Sequence, residues 1–422
     1  MPNELTRGHL DNGSWFLSSC LVLMGITLNQ SSVLLGINFS LADLVLFFII
    51  VYLIFKRALT IPSKPLIFFL VVSIITLFSA TILVPVRFPY NPDSLKLFNG
   101  YTKLLAVFMY FLVGYNLARM ERGYEILKWF SVSSVLIGIF AFSPPLLGRR
   151  IDFLYYGSNR FRGLMNDPNY FSVLQSCAIA YVLGTQRHVL KKYVALFILA
   201  GSILTSGSKT GVVTLGVYLC LKLMEPLFQR KYKLGHVILR LGTVSLVLVL
   251  APILFGKGDD ILNYMVTLIP QFERVAVLFR NFGLAMSGGG SSRDITWQTG
   301  IKLVGSSPIF GVGVGTYTGI TTAMWGVGAL AHNTYIQLAA EWGLPMSLFF
   351  FATIFWQLIG STIKGKSGSE LRIVYRDIIV VFLLGSFAIS LNNARLFWIT
   401  LGLLVWSSDV AIRGRETRRK AV

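Results

Sequence analysis

Residues 331–345 read AHNTYIQLAAEWGLP, and MSLFFFATIFWQLI follows over 346–359. A polar start, a single histidine and then an apolar run long enough to cross a bilayer describe a loop feeding a membrane helix. The same reading extends along the chain. Runs of roughly 17–25 mainly apolar residues recur, the length a helix needs to span the hydrocarbon core. The weaker alternating pattern of a β-barrel is absent.

Composition agrees. Of 422 residues, 54% are hydrophobic, 14% aromatic and only 13% charged, and the mean hydropathy is +0.68. A soluble chain would carry about 25% charged residues. The expected class is an all-α polytopic membrane protein, one bundle of about twelve transmembrane helices. The net charge of +20 would suggest nucleic acid in a soluble protein. Here the basic residues fall between apolar runs and report membrane orientation instead. No nucleic-acid partner is expected, whereas anionic lipid head groups are. Cys20, Cys177 and Cys220 lie inside apolar runs and read as packing residues, with no disulfide or metal spacing. The polar N-terminus lacks a small-residue cleavage site, so the first apolar run reads as a retained helix.

The expected spans lie near residues 14–28, 33–55, 65–84, 101–118, 129–147, 170–184, 194–207, 210–224, 241–256, 333–360, 378–392 and 396–412. Their connections alternate in character. One set is short and basic, including Lys56, Arg57, Lys64, Arg119, Arg122 and Lys128. Arg187, Lys191, Lys192, Arg230, Lys231, Lys233 and Arg240 continue it, followed by Lys364, Lys366, Arg372, Arg376 and the tail from Arg413. The positive-inside rule puts this set in the cytoplasm, with both termini. Four parts follow: helices 1–9 over 1–256, a long external loop over 257–331, helices 10–12 over 332–412 and a basic tail over 413–422.

The other set faces outward and carries arginines where the rule disfavours them. It holds Arg87, the loop from Gly148 to Asn169, the bend SGSK over 206–209, the long loop and Arg395. Arginines kept on that face are expected to bind something negative. The long loop, about 75 residues, exceeds the usual connection and is expected to be functional. It contains an amphipathic stretch, IPQFERVAVLFR over 269–280, then the Gly/Ser run SGGGSSR over 287–293. A short surface helix is expected over 294–304, with Asp294 near its start.

Several residues in these loops could carry chemistry. His332 is the one external histidine in this topology; His9, His188 and His236 fall at cytoplasmic ends. A neutral imidazole can take a proton from an attacking hydroxyl near neutral pH, although a histidine at a helix start can also be merely hydrogen-bonded. Arg293, Arg274 and Arg280 could clamp phosphates through paired N–H donors, or be solvated loop charges. Arg160 and Arg162 are expected to face outward together. Asp167, followed by Pro168 and Asn169, has the pattern of a helix cap. Lys209 sits at the outer interface, where a charge is costly unless paired or functional, with snorkelling to head groups as the plainer alternative. The run SGSKTG lacks the spacing of a nucleotide phosphate loop. Glu341, inside an apolar helix, is expected to play a structural part. No metal or serine-nucleophile motif is present.

Four motifs occur in order: RGLMNDPNY over 162–170, SGSKTG over 206–211, RDITW over 293–297 with PIFGVGVGTY over 308–317, and HNTYIQLAAEWG over 332–343. Together they resemble the O-antigen ligase/polymerase family of bacterial membrane glycosyltransferases, across roughly residues 160–360. The resemblance implies a GT-C-type helical fold with a periplasmic or extracellular active site. It implies transfer of a glycan from undecaprenyl diphosphate to an acceptor hydroxyl, on either another glycan or a lipid A core. No cofactor is implied, and there is room for a chain-length regulator as partner. By residue, His332 corresponds to the catalytic histidine, and Arg293 and Arg162 to arginines that contact diphosphate or glycan. Arg160, Lys209, Arg274 and Arg280 extend that set, with Asn333, Asp167, Asn169 and Glu341 in support. This chain has Lys209 where the family often has arginine, which allows a point charge but no bidentate grip. A transporter or flippase of lipid-linked sugars is the rival reading. It would favour repeated halves, and no internal repeat is visible.

Overall fold

The computed structural model describes residues 14–31, 40–143, 151–157, 159–225, 262–264, 266–267, 269–281, 293–363 and 370–420, with residues 14, 363 and 409–420 by backbone alone. These residues are overwhelmingly helical. The one described sheet is a hairpin of two-residue strands, β1 (Tyr155–Tyr156) and β2 (Arg160–Phe161), with Tyr156 opposite Arg160. The expected span over 241–256, the Gly/Ser run over 287–292, His9 and His236 lie outside the described residues.

The helices of the first half are α1 (Ser14–Thr27), α2 (Leu41–Phe55), α3 (Ser63–Arg87), α4 (Ser94–Arg119), α5 (Gly123–Phe140), α6 (Pro168–Thr185), α7 (Val189–Thr205) and α8 (Lys209–Met224). The second half contains α9 (Glu273–Arg280), α10 (Arg293–Ser306), α11 (Tyr317–Trp325), α12 (Thr334–Trp342), α13 (Leu344–Ile363), α14 (Glu370–Gly385) and α15 (Arg395–Lys420). Among the described residues, four helices are long and apolar enough to cross a membrane: α3, α4, α5 and α13. Shorter apolar helices cover Trp15–Thr27, Leu41–Phe55 and Arg395–Ser408. The membrane class stands on these helices; the number twelve does not follow from them.

Large apolar side chains line the outside of the bundle. Ile74, Phe197 and Trp356 are 66%, 72% and 76% exposed, an arrangement suited to lipid rather than water. Inside, helices approach closely where small residues permit it. At the crossing of α4 and α15, a side chain on Gly114 would strike the Ile399 carbonyl, and one on Gly402 the Phe111 carbonyl.

Two expected spans are redrawn. The stretch 333–360 is two helices, α12 and α13, broken at Gly343 (φ 81°). A side chain there would meet the Ile309 carbonyl, and Pro345 opens the new helix where its missing N–H costs nothing. Hydropathy misses the break because both sides of it are apolar. The span expected at 378–392 begins at Glu370 and ends at Gly385. Cys220, expected to pack, is exposed, whereas Cys20 and Cys177 are buried.

The short helices α10, α11 and α12 cap one end of the bundle. Leu303, Tyr317, Ile320 and Ala340 form a small core there with Val84 of α3 and Phe88 just after it. The loop GVGVG over 311–315 ties this cap to the bundle. Its three glycines have φ of 67°, 80° and 85°, a region closed to most side chains. Each lies against backbone: Gly311 on Glu341, Gly313 on Thr76 and Gly315 on Lys96. Beside it, α3 carries a π-helical turn, Ser79–Leu83, and Ser79 donates to the Phe310 carbonyl at 3.0 Å.

Candidate functional site

At this capped end four helix starts meet: those of α6, α8, α10 and α12. Each begins with a local reason to do so. Asp167 caps α6, accepting from the Asn169 N–H at 2.6 Å, and Pro168 occupies the first turn. Ser208 caps α8, accepting from the Gly211 N–H at 3.0 Å. Asn333 caps α12, accepting from the N–H groups of Tyr335 and Ile336 at 3.0 and 3.1 Å. Such caps satisfy amide donors that helix starts leave free.

Asn169 joins two of these starts to the β-hairpin. Its Oδ1 accepts from Arg160 at 3.1 Å and from the Ser208 hydroxyl at 2.9 Å. Arg160 also donates from Nε to the Ser206 carbonyl at 3.0 Å. The guanidinium of Arg160 is thus drawn onto the turn that begins α8. Arg293, first residue of α10, donates to the Thr210 hydroxyl on the same turn at 3.4 Å. The hydroxyl of Thr296, one turn on, reaches the Ala331 carbonyl beside His332 at 3.4 Å.

Arg274 arrives from α9. As the sequence pattern suggested, that segment is amphipathic: Val275, Ala276 and Leu278 are buried in a small core with Phe272, against Leu204 and Val212. This seats Arg274 at the bend, where a side chain added to Gly207 would come within 3.7 Å of the Arg274 Cδ. Lys209 stands half-buried at the start of α8.

The electrostatics record the convergence. Arg160 is pushed down to about 10 by burial, and the nearby charges of Arg274 and Arg293 add to the effect. Burial lowers Lys209, again with Arg274 and Arg293 contributing. Burial lowers Arg293, partly offset by Asp167, with Arg274 acting in the same direction as burial. Like charges held together disfavour their own ionisation. Among the described residues, none of Arg160, Lys209, Arg274 and Arg293 forms an ion pair with a carboxylate. His332 lies at the edge of this group. Burial holds its imidazole below the ordinary histidine value; Arg293 adds to that, and Asp167 opposes it. Its φ is 49°, in the left-handed region.

Residues 194–351 match the family model described as O-antigen ligase. Over this stretch the chain is similar to the O-antigen ligases. The resemblance drawn from the four motifs is supported, and the match takes in Lys209, Arg274, Arg293 and His332. Arg160, Asp167 and Asn169 lie outside the matched stretch, so their link to it is geometric. No curated protein matches the chain.

Not every expected residue joins the O-antigen-ligase-like site. Arg160 and Arg162 are held by different partners: Arg160 by Asn169 and the Ser206 carbonyl, whereas β2 ends at Phe161 and Arg162 lies beyond it. Arg162 donates instead to the Phe153 carbonyl at 3.3 Å. Arg280, on another side of α9 from Arg274, is held by Glu273 at 3.0 Å and Asn263 at 2.5 Å. Arg395 already has an anion in the protein: its guanidinium grips both oxygens of Asp43 at 2.7 and 2.8 Å. Glu341 is buried and accepts from Gln337 at 2.9 Å, far along α12 from its histidine end. Asn333 serves as a cap and also donates to the Phe387 carbonyl at 3.1 Å. His188 is an exposed residue preceding α7. Among the described residues, no three His, Cys, Asp or Glu side chains gather as metal ligands. Ser206, Ser208 and Thr210 were overlooked as partners. The run SGSKTG could have signalled them, since a serine before an apolar run is a helix-cap pattern.

Proposed function

We propose that the chain is a bacterial membrane glycosyltransferase of the O-antigen ligase/polymerase type, with a GT-C-like architecture. In this reading the capped end faces the periplasm or cell exterior and both termini face the cytoplasm. The four parts of the chain are then membrane helices to 256, an external loop to 331, closing helices to 412 and a basic tail. One observation carries the proposal: four cations without carboxylate partners gather on the first turn of α8, beside a histidine kept neutral.

That arrangement suits a lipid diphosphate donor. Arg160, Lys209, Arg274 and Arg293 meet the negative charge of the diphosphate, as does the amide-rich start of α8. Arg162 and Arg280, each held by other partners, are assigned to the glycan in this reading. His332 takes the proton of the acceptor hydroxyl. The hydroxyl oxygen forms a bond to the anomeric carbon, and the bond from that carbon to the diphosphate oxygen breaks. Its electron pair leaves on the lipid diphosphate, whose growing charge the cations stabilise. A single displacement of this kind inverts the anomeric centre. Asp167, Asn169 and Asn333 hold the helix starts from which these groups project, and Glu341 braces α12. No cofactor is required by this route. Acceptor choice between another lipid-linked glycan and a lipid A core is open in this reading, and a chain-length regulator would act on the polymerase case.

The test is transfer by purified protein from undecaprenyl-diphosphate oligosaccharide, with and without a lipid A core acceptor. A ladder of products without the core identifies a polymerase, and one product dependent on the core identifies a ligase. No product with either acceptor, together with lipid flipping in vesicles, would replace the transferase by a transporter.

A further inference from the structure

A second feature lies at the opposite end of the bundle. A groove of about 400 Å³ opens between α5, α6 and α7, within the size range of small-ligand sites. Its shape follows from how α5 and α7 meet. They touch near Gly138, where an added side chain would come within 3.0 Å of Ile198, and Phe142 stacks on Phe197 at 6.2 Å. Towards the start of both helices they splay, and the end of α6 forms the floor. The groove is therefore a wedge, closed towards the middle of the bundle and open at the end that bears the basic connections.

Its lining is divided by polarity. Lys128, Thr185 and Gln186 stand at the open end, with Ser131 and Tyr181 about one turn further in; Val132, Val135 and Leu136 run inward along α5. From Lys128 to Leu136 is about 12 Å of helix. No carboxylate lines the groove. The acid nearest in sequence, Glu125, is taken by a two-pronged contact from Arg122 at 2.6 and 2.8 Å. Lys128 has no ion-pair partner among the described residues; its ammonium lies 5.6 Å from the Trp129 ring. Gln186 accepts through Oε1 from the His188 N–H at 3.3 Å, which leaves its amide NH₂ to donate. Leu136 is 54% exposed, so the wedge is open to the membrane side.

The geometry points to a binding site for an anionic diacyl phospholipid. Its phosphate sits at Lys128 and Gln186, and one acyl chain lies in the wedge between α5 and α7. A charged head and an apolar acyl chain match the polar mouth and the mainly apolar interior of the lining. In the orientation proposed above, the lipid comes from the cytoplasmic leaflet. The site is separate from the cation cluster: α7 has 17 residues and separates the two ends by about 25 Å. The inference does not depend on the transfer reaction.

The experiment is native mass spectrometry of the purified protein equilibrated with phosphatidylglycerol or phosphatidylcholine in mixed micelles. One phosphatidylglycerol should be retained over phosphatidylcholine by about tenfold or more, the weight of one charge-assisted hydrogen bond. Lys128→Gln should bring the two lipids to parity, and Val135→Trp should remove one bound lipid by filling the wedge. Unfolding midpoints of both variants check that the fold is kept. Equal retention of the two lipids by the native protein would overturn the site. So would undiminished preference in Lys128→Gln, which is the deciding variant if Val135→Trp fails to fold.

Discussion

The two ends of this bundle handle charge in opposite ways. At the end carrying the basic connections, Arg376 pairs with Glu225 at 2.6 Å and with Asp377 at 2.6 Å. Lys222 reaches Asp377 at 2.6 Å and Glu225 at 2.8 Å, and Tyr218 donates to Asp377 at 3.2 Å. Two cations and two anions cancel. At the capped end, Arg160, Lys209, Arg274 and Arg293 crowd one helix start, and among the described residues no carboxylate is bonded to any of them. Arg395 and Asp43, also near that end, show that the fold can neutralise an arginine there. The network at one end holds helices together; the unpaired cluster costs stability through self-repulsion and leaves its charge available to a ligand.

The sharpest way to separate the ends is to remove one group from each. His332→Asn, a residue that tolerates the left-handed backbone at this position, should lower transfer by about 10²–10⁴-fold, the usual worth of a positioned general base, with the unfolding midpoint unmoved. Transfer at the native rate would remove the histidine from the chemistry. Asp377→Ala should do the reverse. Stripping one partner from this buried network, in which Asp377 is 3% exposed, should cost about 3–5 kcal/mol of stability, read by thermal unfolding in detergent. Arg293→Gln should lower kcat/KM by about 10–150-fold, the range for hydrogen bonds to a charged group, without loss of stability. If instead it destabilised the protein as Asp377→Ala does, the two ends would not differ in kind.

Smaller effects sharpen the same comparison. Asn333→Ala removes a cap from α12 and should cost about 1 kcal/mol, seen as a lower midpoint with a secondary loss of transfer. The acid limb of the pH–rate profile should move least. As the proposed base, His332 would act neutral, and its folded pKa lies below the ordinary histidine value. The rate should hold as pH falls past that ordinary value and drop only on passing through the lowered one. In Arg293→Gln one of the lowering charges is gone, so the limb should move upward, while burial, the larger cause, still holds it below the ordinary histidine value. A limb unmoved by that change would place Arg293 out of reach of the imidazole.

The helical class was legible from apolar run length alone, and so were the amphipathic α9 and the cap at Asp167, because each rests on local spacing. The gathering of cations was legible only as a list of external positives. Sequence cannot tell which positive charge finds an internal anion. Asp43 and Arg395 are 352 positions apart, and Glu225 meets Arg376 only through packing of α14. Arg372 and Arg376, read as loop charges, are buried on α14 for the same reason. Arg160 and Arg162 separated because each found a different partner, Asn169 and the Ser206 carbonyl for one and the Phe153 carbonyl for the other, contacts that no local spacing announces. The break at Gly343 escaped because its cause, the Ile309 carbonyl, comes from a loop packed against it.

The backbone of His332 bears on the evolution of this position. At φ 49° most side chains are strained, whereas histidine, asparagine, aspartate and glycine are tolerated. Of those, asparagine and glycine are not bases. If His332 is the base proposed above, mutational drift that keeps the backbone undisturbed has one basic neighbour, aspartate, and otherwise runs to chains that fold without activity. A chain of this kind would lose its chemistry before it lost its shape.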